Sequence, residues 1–292
     1  DIQINGYHNV DFSDPELTES DFLRTAERIF ESGTYLFLPT VITGSEDVYL
    51  RNIKLMHDAV VKNGLEKQIP GIHWEGPFLS DQPGAVGCHN PAYIRKPDCR
   101  FLDKIMDHTG GFIKLMTVAA EELIRHAVSL GITVGCGHQL ANYEQLQKAE
   151  KAGARTLTHL GNGIPNMINR HKNPVWSGLA CDDLIATIIT DGHHLPPELI
   201  KCVIRMKGPD KVIVISDASP VAGLPPGRYH MLGNDAILEE NGLFHNPEKG
   251  CLVGSSASMS DCMKYLESLD LLSKEDLEKV GYCNAMKLLG ML

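Results

Sequence analysis

Four residues that can bind a metal or move a proton stand where short apolar runs of the sequence end. They are Glu75, His138, His159 and Asp217. Two imidazoles and one carboxylate leave an open position on a zinc ion, as catalytic zinc sites do. A second carboxylate beside that position can act as a general base toward bound water. We therefore predict a metal site for water activation, with Asp217 as the acid/base.

Each of these residues alone also has a structural explanation. A single histidine at a strand end is more often a hydrogen-bonded structural residue than a metal ligand. Glu75 could cap a following helix, and Asp217 could be an ordinary turn residue. The shared position of all four at the carboxyl ends of apolar runs favours the metal site, because those ends meet on one face of a parallel α/β barrel.

Eight apolar, strand-like runs alternate with helical periods along the chain. The runs cover residues 1–6, 35–41, 69–74, 112–119, 133–137, 155–158, 184–190 and 211–216. This order predicts a parallel sheet with crossover helices, and eight repeats match a closed (β/α)8 TIM-type barrel better than an open doubly wound sheet. No G-x-G-x-x-G motif follows the first run, so the main dinucleotide-binding signature is absent.

We expect residues 1–292 to form one barrel domain, with a β-hairpin insertion at 226–253 where the alternating pattern stops. A Gly/Pro-rich segment from Pro77 to Pro97 is long for a loop in a compact domain, and such loops are usually functional or disordered. His89 within this loop would lie over the barrel mouth, where its imidazole could polarise a substrate oxygen.

Further polar residues follow the sixth and seventh runs. Asn162 and Arg170 could hold a substrate, and His193 and His194 follow the seventh run, where barrels commonly bind phosphate. His73 precedes Glu75 by two residues, so both side chains point to the same side of the strand. A supporting role behind the metal and a purely structural role fit His73 equally well.

The composition is ordinary for a soluble globular protein, with 43% hydrophobic and 22% charged residues. A net charge of −10 argues against general nucleic-acid binding. One phosphate on a small substrate stays compatible with it, because a local Arg/His pocket suffices. No apolar run approaches the roughly 20 residues that span a bilayer, and no secretion signal is visible. Eight scattered cysteines without a C-x-x-C pair favour reduced thiols in a cytoplasmic protein.

Seven short motifs occur in order along essentially the whole chain. They are His73-Trp74-Glu75-Gly76-Pro77, His89-Asn90-Pro91, Gly137-His138, Thr158-His159-Leu160-Gly161-Asn162, Asp191-Gly192-His193-His194, Ser216-Asp217-Ala218 and Gly254-Ser255-Ser256. Together they resemble the N-acetylglucosamine-6-phosphate deacetylases of the amidohydrolase superfamily. The resemblance implies hydrolysis of the N-acetyl amide of this amino-sugar phosphate. It also implies a small β-sandwich built from both chain ends, which we expect to be missing from this chain.

The resemblance implies roles for individual residues as well. Glu75, His138 and His159 would hold one divalent metal ion, and Asp217 would be the acid/base. Two imidazoles and one carboxylate suit Zn²⁺ best, with Fe²⁺ or another divalent ion as the alternative. His89 would polarise the amide carbonyl. The resemblance also implies contacts with the sugar phosphate from Asn162, Gly163, Arg170 and His194. Arg170 and His194 would lie near the phosphate, and one of them could come from the partner in a homodimer.

The first run carries Gln3-Ile4-Asn5 where the superfamily usually has His-x-His. Neutral amides bind zinc poorly, so we expect a single metal ion. Two other functions stay open at this point: an amidohydrolase for a different amide, and a non-catalytic barrel that binds phosphosugars. The second is disfavoured, because a binding protein needs no general base beside a metal.

Overall fold

Seven parallel strands, hydrogen-bonded to one another in chain order, form the central sheet of the computed structural model, which describes residues 1–119 and 121–292. A small antiparallel ribbon, β1 (Gly6–Tyr7) and β2 (Val10–Asp11), precedes the central sheet. The central strands are β3 (Thr40–Ile42), β4 (Ile72–Glu75), β5 (Ile113–Val118), β6 (Thr133–Cys136), β7 (Thr156–Leu157), β8 (Ile185–Ile189) and β9 (Val212–Ile215).

The first five residues connect the two edges of this sheet. Ile4 forms isolated parallel bridges with Pro39, before β3, and with Ala218, after β9. The Asn5 amide donates to the Ala218 carbonyl at 2.7 Å, and the Thr40 amide donates to the Ile4 carbonyl at 2.7 Å. The strand expected at residues 1–6 is therefore present only in part, as the two parallel bridges at Ile4, and its last residue, Gly6, belongs to β1.

Helices cover the outside of the curled sheet, as the alternating sequence predicted. They are α1 (Glu19–Glu31), α2 (Glu46–Val48), α3 (Lys54–Asn63), α4 (Cys99–His108), α5 (Glu121–Ser129), α6 (Tyr143–Ala152), α7 (Pro174–Ala180), α8 (Pro197–Lys207), α9 (Met259–Ser268), α10 (Lys274–Glu278) and α11 (Asn284–Leu288). π-Helical turns at Tyr49–Ile53 and Lys279–Cys283 join α2 to α3 and α10 to α11. None of the helices in the described ranges is long and apolar enough to cross a membrane.

Helix α7 is not predicted by the pattern of the sequence. Its start carries a recognisable signal, because the Asn173 side chain accepts hydrogen bonds from the Val175 and Trp176 amides and Pro174 occupies the first helical position. The helix is only seven residues long, so its apolar residues span too few turns to show a helical period.

Four antiparallel strands occupy the region where the sequence suggested a hairpin insertion. They are β10 (Gly227–Met231), β11 (Asn234–Leu238), β12 (Phe244–Asn246) and β13 (Cys251–Leu252). The β10–β11 turn has two residues, Leu232 and Gly233, and both have positive φ, as a tight hairpin of this twist requires. This small sheet has its own buried apolar core, which includes Phe244 and Val253 and contacts Ile42 at the end of β3.

A buried polar layer lies within the curled sheet, beneath the strand ends. His73 lies within it, with Nε2 2.7 Å from the Thr117 hydroxyl, and that hydroxyl lies 2.8 Å from the Thr158 hydroxyl. Gly137 leaves the room that the two threonines occupy, because a Cβ at this position would lie 2.7 Å from Cβ of Thr158 and 2.8 Å from Cγ2 of Thr117. The sequence therefore needs a glycine immediately before His138.

We expect Gly137→Ala to lower the free energy of unfolding by about 1–3 kcal/mol, because overpacking a filled interior forces side chains or backbone to move. Gly44→Ala is the matched control, since the nearest atom to a Cβ there lies 3.7 Å away. Urea unfolding measures both variants. Equal, small losses in the two variants would contradict the close packing described for Gly137.

Candidate active site

Glu75, His138 and His159 converge at the carboxyl ends of β4, β6 and β7. Their candidate ligand atoms all lie within 4.8 Å of one another, and the three residues are buried. Nε2 of His159 lies 3.0 Å from Oε1 of Glu75, and Nε2 of His138 lies 3.6 Å from the same oxygen. The structure thus brings together the three residues that the sequence analysis selected as metal ligands.

Three residues of the site depart from ordinary backbone conformation. His138, His159 and Asp217 have φ values of 49°, 34° and 49°, in the left-handed region that residues other than glycine rarely adopt. Each of them lies just after a strand of the central sheet, where the chain turns away. Such strained positions gather at functional sites when the surrounding structure can hold them.

His138 is fixed in one tautomer by the loop that covers the barrel. Its Nδ1 lies 2.7 Å from the Ala85 carbonyl oxygen. A carbonyl only accepts, so Nδ1 must carry the proton and donate it, and Nε2 keeps its lone pair. Metal-binding histidines are usually held in this way by a second partner on the far nitrogen.

The donor set fits a divalent metal ion. Burial and the neighbouring His159 lower the pKa of His138 to about 4, and burial lowers the pKa of His159 as well. Both imidazoles therefore stay neutral with a free lone pair, which is the form that binds a metal. Burial also raises the pKa of Glu75, so an adjacent cation would offset the cost of its charge.

Asp217 lies beside this cluster and is held by two amides from the first segment of the chain. Gln3 Nε2 donates to Oδ1 of Asp217 and to Oε1 of Glu75, each at 3.0 Å, and Asn5 Nδ2 donates to the same Oδ1 at 2.8 Å. No described residue donates to Oδ2 of Asp217. Burial and the nearby Glu75 raise the pKa of Asp217 to about 6, which suits a group that takes and returns a proton.

His89 completes the cluster from the loop that follows β4. Its Nε2 lies 3.2 Å from Nε2 of His138 and 3.8 Å from Oε2 of Glu75, and the ring is buried. Burial, followed by the neighbouring imidazoles, lowers the pKa of His89 well below its ordinary value. A neutral imidazole here retains one N–H, which can donate to a substrate oxygen.

A cavity of about 900 Å³ opens above the cluster, and Asn162, Gly163 and His194 line it. Nδ2 of Asn162 is buried and has no partner among the described residues, so it is free to meet a ligand. Gly163 brings the backbone close to His138, since a Cβ would lie 2.9 Å from Nδ1 of that ring. Nδ1 of His194 lies 2.7 Å from Oδ2 of Asp191, which orients the ring.

Two candidate residues lie elsewhere in this chain. Arg170 is exposed, does not line the cavity and contacts Trp176 through its backbone carbonyl. His193 lies 3.0 Å from the Asn241 carbonyl and ties the barrel to the small sheet. Two basic side chains that line the cavity, Lys249 and His245, are not predicted from the sequence. Both come from the small sheet, and no motif in the sequence marks them.

Known deacetylases are similar to this chain over its whole length. No family model matches the chain. An N-acetylglucosamine-6-phosphate deacetylase from Bacillus subtilis is 32% identical over 299 residues, which cover 100% of this chain and 74% of the relative. The chain belongs to the N-acetylglucosamine-6-phosphate deacetylase family. The expected family resemblance is therefore confirmed, and it extends over the whole of the chain.

Two further deacetylases show the breadth of the likeness. A Mycobacterium smegmatis N-acetyl-D-glucosamine-6-phosphate deacetylase variant, solved in complex with N-acetyl-D-glucosamine-6-phosphate, superposes with a TM-score of 0.90 and 25% identity, over 100% of this chain and 76% of that structure. An N-acetylgalactosamine-6-phosphate deacetylase from Shewanella is 31% identical over 91% of this chain and 66% of the relative.

The positions of Gln3 and Asn5 predict the number of bound metal ions. The wild-type protein should hold one ion per chain, because both residues are neutral amides already engaged with Asp217. The double variant Gln3→His, Asn5→His should gain capacity for a second ion, since imidazole is a far better zinc ligand than an amide. Elemental analysis after dialysis against zinc measures both. Two ions per chain at full occupancy in the wild type would contradict the expectation.

Proposed function

We propose that this chain hydrolyses the N-acetyl amide of N-acetylglucosamine 6-phosphate to glucosamine 6-phosphate and acetate, in amino-sugar catabolism. The observation that carries the proposal is the position of Asp217 beside the Glu75, His138 and His159 cluster, with Oδ2 free of donors from the described residues. A barrel that only bound phosphosugars would have no use for a buried carboxylate at this position. Membership of the deacetylase family supports the same reaction.

The metal site is part of the proposal. Glu75, His138 and His159 would hold one divalent ion. Two imidazoles with one carboxylate suit Zn²⁺ best, with Fe²⁺ or another divalent ion as the alternative. Such an ion lowers the pKa of a coordinated water and polarises a carbonyl oxygen. The closed (β/α)8 architecture, with residues 1–292 as one barrel domain that carries the small sheet as an insertion, is the framework that we assign to this site.

The protein's own groups then perform the proton transfers. Oδ2 of Asp217 accepts a proton from the attacking water as the water oxygen bonds to the amide carbon. Asp217 returns that proton to the nitrogen as the carbon–nitrogen bond breaks, so that the amine leaves neutral. An N–H of His89 donates to the carbonyl oxygen, where negative charge develops. Acetate and the free amine are the products.

The phosphorylated sugar would occupy the cavity beside this group. Asn162, Gly163 and His194 line it and would contact the sugar and its phosphate. Arg170 is exposed, and its neighbours Met167 and Trp176 are 90% and 53% exposed, which supports a homodimer in which Arg170 reaches the partner's cavity. The eight free cysteines support a cytoplasmic location, where thiols stay reduced.

Acetate release tests the proposal. The protein should release acetate from N-acetylglucosamine 6-phosphate and lose that activity with a chelator, and added divalent metal should restore it. The galactosamine epimer belongs in the assay, because one relative carries that name. If no acetate is released from N-acetylglucosamine 6-phosphate with metal present, the proposal is refuted. A strong preference for N-acetylgalactosamine 6-phosphate would change the proposed substrate to that epimer.

Asp217→Asn should lower kcat by roughly 10²–10⁴-fold, the range of general acid–base contributions. The amide keeps the size of the side chain but cannot accept the water's proton. Zinc content and thermal unfolding serve as controls and should match those of the wild type. A kcat within about twofold of the wild-type value would remove Asp217 from the mechanism.

His194→Ala and Arg170→Ala should each weaken binding of the phosphorylated sugar by roughly 1.5–3 kcal/mol, the cost of a charged hydrogen bond. Binding of unphosphorylated N-acetylglucosamine should change little. His171→Ala, an exposed neighbour of Arg170, is the matched control and should affect neither ligand. Calorimetric titration with both sugars separates the outcomes, and equal losses for the two sugars would show that neither side chain contacts the phosphate.

A further inference from the structure

The small antiparallel sheet contacts the loop that carries His89 through one buried amide. Asn234, at the start of β11, is 2% exposed. Its Nδ2 donates to the carbonyl oxygen of Cys88 at 2.9 Å. Cys88 immediately precedes His89, so this bond holds one end of the peptide unit from which the His89 side chain projects.

Every hydrogen-bonding position of the Asn234 side chain is occupied. Nδ2 also donates to the Leu232 carbonyl at 2.8 Å, and Oδ1 accepts from Lys249 Nζ at 2.6 Å and from Asn246 Nδ2 at 3.2 Å. The Lys249 ammonium can only donate, so it fixes Oδ1 toward itself and turns Nδ2 toward the loop. A fully paired buried network of this kind selects a single arrangement.

Apolar contacts reinforce the same link. Cys88 packs against the core of the small sheet, which contains Met231, Leu232 and Val253. Buried apolar contact alone is not directional, whereas the Asn234 bond specifies where the Cys88 carbonyl must lie. The sheet therefore supplies both the attraction and the alignment of this part of the loop.

The His89 ring has little side-chain support of its own. Nδ1 is buried without a partner among the described residues, and Nε2 approaches only other groups of the metal cluster. The backbone of the loop must then position the ring. The His89 amide bonds back to the Val86 carbonyl at 3.2 Å, within the same loop. Asn234 therefore adds a restraint from outside the loop, at the peptide unit that precedes His89.

We propose that Asn234 is a positioning residue for His89, and that Lys249 orients the Asn234 amide from the rim of the active-site cavity. The inference rests on the proposed function, because it assumes that His89 donates to the substrate carbonyl. It gives the small sheet a part in the reaction. The sheet sets the placement of the oxyanion donor, although none of its strands carries a metal ligand or the acid/base.

A double-mutant cycle on the metal-loaded full chain tests this inference. Asn234→Asp keeps the shape of the side chain and the contact with Lys249 but removes the donor to Cys88. We expect kcat for N-acetylglucosamine 6-phosphate to fall roughly 10-fold, the low end for residues that support a reactive group through another residue. KM should stay within about twofold, because Asn162 and His194 are untouched.

The decisive comparison is made in a His89→Asn background. If Asn234 acts through His89, Asn234→Asp should change kcat there by less than about twofold, because coupled residues are not additive. The same fold loss in both backgrounds would overturn the inference and leave Asn234 a structural residue. An unchanged kcat in the His89-containing protein would overturn it as well.

Two further variants keep the test decisive. Lys249→Met leaves the Asn234 amide in place but frees its orientation, so it should lower kcat only when His89 is present, and it carries the test if Asn234→Asp does not fold. Asn241→Asp, an exposed change in the same sheet region, is the control and should match the wild type. Failure of the proposed function would appear separately, as no acetate release by the wild type or as a wild-type kcat in His89→Asn.

Discussion

One amide group holds the two buried carboxylates of this site. Gln3 Nε2 bonds to Glu75 and to Asp217 at 3.0 Å each, across a barrel mouth where both acids are buried. Burial, followed by the neighbouring Glu75, raises the pKa of Asp217, because a nearby like charge disfavours the ionised form. A neutral double donor between them leaves room for one cation at Glu75 and lets Asp217 change its protonation state. A second metal ion is unnecessary, because the side-chain amides of Gln3 and Asn5 already donate to Oδ1 of Asp217, on the side where that ion would bind.

Several parts of the fold position the residues around these two carboxylates. The first segment lies between the segments that flank β3 and β9 and brings Gln3 and Asn5 to the carboxylates. Left-handed backbone at His138, His159 and Asp217 turns the chain at each strand end. The loop after β4 contributes Ala85, which fixes the His138 tautomer, and His89. The small sheet bonds to the same loop through Asn234. The loop and the small sheet, which are far apart in the sequence, therefore define the position of the His89 imidazole together.

Much of this arrangement could be predicted from the sequence, for identifiable reasons. Apolar runs that end in His, Glu or Asp locate strand ends, so the spacing of these runs is enough to group Glu75, His138, His159 and Asp217. Long-range hydrogen bonds leave no local trace, and this explains why Lys249 and Asn234 were missed. The strand expected at residues 1–6 is reduced to two bridges for a similar reason, since these bridges depend on Pro39 and Ala218, which lie far away in the sequence. The phosphate-binding role of Arg170 stays a prediction.

The central claim is that one metal ion binds between Glu75, His138 and His159, and it can be tested by anomalous diffraction. Crystals of the zinc-loaded protein, measured above and below the zinc absorption edge, should show a single anomalous peak per chain. We predict distances of about 2.0–2.2 Å from that peak to Nε2 of His138, Nε2 of His159 and a carboxylate oxygen of Glu75. A second peak of equal height near Gln3 and Asn5, or a peak outside this cluster, would contradict the account.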